Sequence, residues 1–174
     1  MRSNISQKRS ENLQEYVSKT LDTLGVETKR DVVDFLRNLI GPEVVEFPRD
    51  SIGGDVVGVS SQAHVPVAMN MINMMILEDR EKMMNALSTE EVRNALLKIL
   101  IDSKLQSEET LWLDKTLLFT LVTIREISRD NPSGQALFSS EEMGNILLDI
   151  LENVEDINFR SKAASAMMEI SRNN

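Results

Sequence analysis

The sequence predicts an all-α protein with a single domain over residues 1–174. Apolar residues recur at three- and four-residue spacing along most of the chain, which is the period of an amphipathic helix. Only 4% of the residues are aromatic, whereas Met and Leu are abundant, and this composition favours packed helices over β-strands. A block of helix length also occurs twice. The chain is long enough to bury a sizeable core.

The first two predicted helices span about 6–24 and 28–40. Apolar residues of the first lie on one face, and Gly25 provides a C-terminal stop, so residues 1–27 are expected to form an N-terminal helix. Thr28 is a suitable N-cap for the second helix, which a Gly-Pro pair ends.

The helical period is interrupted over about 42–62, where glycines, prolines and valines occur without a 3.6-residue repeat. This segment is predicted to be a long loop, a feature that is often functional in a small domain. A helix resumes near Pro66 and continues to Leu87. The charged run 78–82 lies either inside one long helix or at a bend.

Four further helices complete the prediction. They are expected at about 89–102, 108–129, 140–153 and 158–172. The sequence Asn-Pro-Ser-Gly at 131–134 predicts a turn between the second and third of these four.

Two segments of the second half repeat each other. Residues 88–100 align with 139–151 at an offset of 51, with eight identities in thirteen positions. The sequence Glu-Ile-Ser-Arg at 126–129 recurs at 169–172 with an offset of 43. A repeated helix pair is typical of an α-solenoid, because one hairpin cannot bury its apolar face alone. A helical bundle with one duplication is the alternative.

The Leu-rich first helices and the repeated Glu-Ile-Ser-Arg end of the second helix resemble the armadillo and HEAT class of helical repeats. The resemblance covers roughly residues 28–174. It implies a right-handed α–α superhelix of about three stacked hairpins. The expected units are the N-terminal helix, a first hairpin with an inserted loop, a second hairpin and a third hairpin, at 1–27, 28–87, 88–130 and 139–174.

Several classes of function are disfavoured by composition. The net charge of −9 argues against a nucleic-acid binder, and no window is long and apolar enough for a membrane span. The chain contains no Cys, which removes thiolate chemistry and cysteine-based zinc sites and fits a cytoplasmic location. His64 is the one histidine, and no partner for it is evident. No catalytic residues, cofactor or metal ligands are therefore expected, and the chain is not expected to be an enzyme.

The helix over 108–129 contains the candidate binding residues. Its core stripe leaves a second face that begins with the only Trp, which is either packed between hairpins or exposed as an anchor for a partner. Six methionines at 69–84 are either core residues or part of an adaptable surface. Glu126, Arg129 and Arg172 form either ion pairs between repeats or contacts with a peptide. The full candidate set is Trp112, Thr116, Phe119, Thr123, Glu126, Arg129 and Arg172.

The sequence thus predicts a protein-interaction module that acts as an adaptor, scaffold or assembly factor. Its partner is expected to be another protein or a peptide. The alternative is a self-associating subunit of a larger assembly, in which the C-terminal hairpin forms a homodimer because no polar capping repeat follows it. Neither nucleic acid nor a membrane is an expected partner.

Overall fold

The computed structural model of the chain describes residues 26–40, 64–105 and 111–172. Within these ranges all regular secondary structure is helical, as predicted, and no strand occurs. The eight helices are α1 (Val26–Ile40), α2 (His64–Glu78), α3 (Arg80–Leu87), α4 (Glu90–Leu105), α5 (Leu111–Ser128), α6 (Pro132–Phe138), α7 (Glu141–Asn153) and α8 (Ile157–Ser171). None of the helices in these ranges is long and apolar enough to cross a membrane. The predicted helix at 6–24 and the predicted loop at 42–62 lie outside the described residues.

The charged run after α2 contains a helix boundary, which resolves the alternative left open by the sequence. Asp79 separates α2 from α3, and its side chain accepts a hydrogen bond from the backbone N–H of Lys82 at 3.2 Å. The residue therefore acts as the N-cap of α3 and begins a new helix where the charged run had allowed a continuous one.

The segment predicted as a turn at 131–134 is instead the start of α6, so that prediction was wrong. The chain turns earlier, at Asp130, whose φ of 51° lies in the left-handed region. Pro132 then occupies the first turn of α6, where its missing N–H costs no hydrogen bond. The Pro-Gly composition that suggested a turn thus belongs to a short helix.

The two repeated helices α4 and α7 begin at Glu90 and Glu141, one residue later than the predicted starts at about 89 and 140. The N-cap oxygens belong to Thr89 and Ser140, each of which accepts from a backbone N–H three residues on at 3.3 Å. Ser88 and Ser139 end the preceding helices α3 and α6. The short helices are therefore related by the same 51-residue offset as α4 and α7.

The helices contact each other in a regular order. Each long first helix packs against the second helix that follows it, in the pairs α1–α2, α4–α5 and α7–α8. The first helices α1, α4 and α7 also contact in succession, as do the second helices α2, α5 and α8. Helix α5 is central, because it packs against α2, α4, α6 and α8.

One apolar core runs between these helices. Its fully buried members include Leu36, Ile72, Leu96, Ile124 and Leu147, which come from α1, α2, α4, α5 and α7. Helix α8 contributes Phe159 and Ile170 together with Ala163 and Ala166, and the two fully buried alanines allow close approach of its neighbours. Of the methionines over 69–84, most are core residues, and Met74 is exposed.

Candidate interaction surface

A polar contact joins α5 to α2 in the middle of the two helices. The Thr123 hydroxyl lies 2.9 Å from Oδ1 of Asn73 and 2.8 Å from the backbone oxygen of Phe119. Asn73 also donates from Nδ2 to that same backbone oxygen at 3.2 Å. Because Thr123 is fully buried, these bonds satisfy a hydroxyl that has no access to water. They also specify the register between α2 and α5.

An ion cluster forms around Glu126 where α5 ends. Oε2 of Glu126 lies 3.3 Å from Arg80 and 3.1 Å from Arg129, and Oε1 lies 3.7 Å from Arg125. The glutamate side chain is only 10% exposed, whereas each arginine retains about a third of its exposure. One nearly buried carboxylate thus faces three guanidinium groups, so the cluster carries an excess of positive charge.

Arg80 has a second role at this position. Its Nη2 donates to the backbone oxygens of Glu126 and Arg129, with a distance of 2.7 Å to the first. These oxygens belong to the last turn of α5, where carbonyl groups lack partners within the helix. A guanidinium there satisfies them and interacts favourably with the negative end of the helix dipole. Arg80 therefore connects the start of α3 to the end of α5.

Most of the predicted site residues face other helices. Thr116, Thr123 and Glu126 are buried, and Phe119 is partly buried against the core. Their part of α5 is therefore covered by α2 in this packing, and direct contact of Thr123 with a partner would require α2 to move. The set as a whole stays a prediction.

The remaining predicted residues lie nearer the surface. Arg129 belongs to the ion cluster, and the exposed Arg172 pairs with Asp130 at 3.5 Å and Glu169 at 3.4 Å. The Arg172–Asp130 pair connects the ends of α5 and α8, as in the inter-repeat alternative, whereas the Arg172–Glu169 pair lies within the end of α8. Trp112 lies in the first turn of α5, and its side chain is outside the described part of the chain.

The exposed side of α2 and α5 presents apolar residues next to the ion cluster. Leu77 is 71% exposed and Met74 is 36% exposed, and both lie opposite the buried side of α2. On α5 the corresponding half-buried positions are occupied by Leu118 and Val122. Because α2 and α5 pack side by side over one core, these positions share an outer surface. We call it the second-helix face, composed of Met74, Leu77, Leu118, Val122, Arg125 and Arg129.

Apolar periodicity in the sequence also indicates this surface, although its apolar residues are not in the predicted candidate set. Leu118 and Val122 lie four apart, on the opposite side of α5 from the fully buried residues Thr120 and Ile127. A helix that is apolar nearly all round shows such a second stripe, but periodicity does not tell which stripe a neighbouring helix covers. The stripe with Thr123 is the covered one.

Within the described ranges no group of three or more metal-ligating side chains is close enough to hold an ion. His64 begins α2, and its side chain is outside the described residues. Comparison with protein-family models, curated proteins and solved structures gives no match.

Proposed function

We propose that the chain is a protein-interaction module built as a short α-solenoid of the armadillo and HEAT type. The superhelix would be right-handed and contain about three stacked hairpins. Two features support this arrangement: like helices contact in succession, and each repeated helix pair is preceded by a short helix at the same offset. Units of two or three helices are typical of this class of repeat.

The binding surface that we propose is the second-helix face. The observation that carries the proposal is the juxtaposition of exposed Leu77 and Met74 with the three arginines around Glu126. Apolar side chains bury area against a partner, while an excess of guanidinium charge attracts carboxylates and orients them by bidentate hydrogen bonds. The partner is therefore a segment of another protein that carries an apolar side chain close to an acidic one.

Binding fits these residues better than catalysis does. The ion cluster contains charged groups that already pair with each other, and no nucleophile or general base is adjacent to it among the contacts described above. An adaptor, scaffold or assembly factor needs only such a surface. The lack of Cys favours a reducing compartment, so the proposed location is the cytoplasm.

Affinity capture tests the proposal. The tagged chain is incubated with native lysate, and bound proteins are quantified by mass spectrometry for the wild type, Leu77→Glu and a Leu77→Glu, Arg125→Ala double variant. Loss of an anchoring apolar contact costs about 2 kcal/mol, which corresponds to about 30-fold in affinity. The recovered partner should decrease strongly with the first variant and further with the second, and its purified form should bind with the same order of affinities.

The matched control is Leu148→Glu, which also replaces an exposed leucine but lies on α7. It should retain the partner. Circular dichroism verifies that all variants keep their helical content. A partner that binds the double variant as tightly as the wild type would place the interaction elsewhere and contradict this choice of surface.

A further inference from the structure

The last hairpin has an apolar side that no other described helix covers. Three of the most exposed large apolar residues belong to it: Leu148 is 44% exposed, and Ile157 and Met168 are each 73% exposed. On α8, Ile157 and Met168 are eleven positions apart and therefore lie within about 20° of each other around the helix. They are thus neighbours along one stripe of α8.

On α7 the exposed leucine points away from the rest of the molecule. A groove between α4 and α7 is lined by Leu97 and Ile101 from α4 and by Ile146 and Asp149 from α7. Those two α7 residues mark the side of α7 that faces α4. Leu148 is two positions from Ile146, so it lies about 160° around the helix from it. The groove also contains Glu142 and Asn145, and Leu148 lies about 110° around the helix from the centre of the four lining positions. It is therefore directed away from the groove and from α4.

The internal repeat shows what kind of surface this side of the last hairpin is. At the offset of 51 residues, Leu148 corresponds to Leu97, which is only 6% exposed because the following unit packs there. At the offset of 43 residues, half-buried Ala164 and Met167 correspond to Leu121 and Ile124, which are both fully buried. Positions that the second unit covers with a neighbouring hairpin are thus uncovered in the third.

We propose that a second copy of this chain covers this end of the stack, which we call the open end face: Leu148, Leu151, Ile157, Ala164, Met167 and Met168. The proposal deepens the proposed function, because it rests on the repeat stack inferred there. A second copy carries the same face, and two apolar faces of this kind bury each other when related by a twofold axis.

The charges beside the open end face favour such a twofold arrangement. Helix α7 contains four acidic residues and no basic one, and Glu141 and Glu152 lie on the same side of it as Leu148. On α8 the exposed Arg160 lies one turn from both Ile157 and Ala164. The exposed acidic residues Glu155 and Asp156 precede the helix, so Arg160 is the basic group of this edge. A twofold axis that places α7 of one copy against α8 of the other brings Arg160 toward the acidic residues of α7. Placing α7 against α7 would oppose like charges.

The first experiment measures association of the full chain by sedimentation velocity over a dilution series. The wild type is expected to form a dimer that dissociates on dilution. The Leu148→Glu, Met168→Glu double variant is expected to weaken association by about a hundredfold or more, because unpaired charges would be buried in the contact. Leu77→Glu, which places the same charge at an exposed position of the second-helix face, is expected to leave the dimer unchanged.

The second experiment determines which helices meet. The chain contains no Cys, so single-cysteine variants are unambiguous. A mixture of Leu148→Cys and Met168→Cys proteins is treated with a short bismaleimide, and mass spectrometry identifies the linked peptides. The expected product joins position 148 of one copy to position 168 of the other, whereas Leu77→Cys should link to neither.

Three outcomes overturn the proposal. A wild-type chain that sediments as a monomer at every concentration removes the dimer. A dimer that survives the double variant but dissociates with Leu77→Glu places self-association on the second-helix face. A dimer in which Leu148→Cys links to Leu77→Cys on α2 and not to Met168→Cys is head-to-tail and not twofold. Because partner capture depends on Leu77 and dimerisation does not, failure of one proposal is distinguishable from failure of the other.

Discussion

The two repeat units share aligned segments that lie in different surroundings. Leu97 of the second unit is covered by the third, whereas Leu148 at the equivalent position is exposed. Glu126 faces three arginines, and its equivalent Glu169 is paired with Arg172 alone among the ion pairs of the described residues. The same local sequence therefore forms the same helices, but among the described helices only those of the second unit have a neighbouring hairpin on both sides.

This difference shows how stability is distributed in the molecule. A helix of the second unit buries residues toward both the preceding and the following hairpin. Its apolar contacts therefore contribute more per residue to the free energy of unfolding. A helix of the third unit buries one side only. Equivalent substitutions in the two units should consequently differ in cost, and the difference measures the contribution of the neighbouring hairpin.

The largest difference is expected for the leucine pair Leu100 and Leu151. Leu100 is fully buried, and Leu151 at the equivalent position is partly exposed. Leu100→Ala should lower the free energy of unfolding by about 2–5 kcal/mol, the range for a buried leucine. Leu151→Ala should cost about 1 kcal/mol, because less area is lost from a half-buried site. Urea denaturation followed by circular dichroism, at protein concentrations below association, measures both. Equal losses of free energy of unfolding in the two variants would contradict the unequal coverage of the two units.

A glycine pair tests the close packing at the junction of the units. A Cβ on Gly134 would overlap the backbone oxygen of Ile127 and lie 2.8 Å from Nδ2 of Asn131. Gly134→Ala should therefore destabilise the chain by about 1–3 kcal/mol. Asn131 would be displaced from its bonds to Ile127 at 2.8 Å and Ser88 at 3.0 Å.

Gly144 is the matched control, because a Cβ there would meet no atom within 4 Å. Gly144→Ala lies inside α7 and should stabilise the chain by about 0.5–1 kcal/mol through helix propensity. The thermal unfolding temperatures of the two variants should shift in opposite directions. A stabilising Gly134→Ala would mean that α6 does not pack this closely on α5.

The smallest effect is expected for the repeated glutamates. Glu126→Gln removes the charge that pairs with Arg80, Arg125 and Arg129 and should cost about 1–2 kcal/mol, since the carboxylate is nearly buried while the arginines are partly solvated. Glu169→Gln should change stability by less than about 0.5 kcal/mol, because its partner Arg172 is largely exposed. Chemical denaturation at low and high salt distinguishes them. Equal costs would indicate that the cluster of three arginines adds nothing beyond one surface pair.

The helices themselves were predictable because their signals are local. The starts and ends of α1, α7 and α8 follow from apolar periodicity, and the structure differs from the prediction there by at most two residues. The caps were less predictable: Thr28, the predicted N-cap of α1, lies inside the helix, which begins at Val26. The short helix α6 was not predicted, since Pro132 and Gly134 are common both in turns and in short helices. Its buried Phe138 stabilises it by packing, which a local pattern does not reveal.

The surface was less predictable than the helices. Helix α5 has two apolar stripes. The stripe with Phe119 and Thr123 was predicted as the binding face, but helix periodicity does not indicate which stripe α2 covers. In the structure Asn73 bonds to Thr123, and Leu118 and Val122 of the other stripe remain partly exposed. Local periodicity does not indicate a contact between residues that are 50 positions apart in the chain.

By itself the sequence determined that this protein is helical, where most of its helices lie and that two units repeat. These properties depend on spacing, caps and composition within a few turns of chain. Only the tertiary structure decided which residues of each unit are covered. Leu97 and Leu148 are the same residue in the same local sequence, and they differ because a hairpin packs on the first and none of the described helices packs on the second. Burial is a property of the neighbours, and neighbours are set by long-range packing.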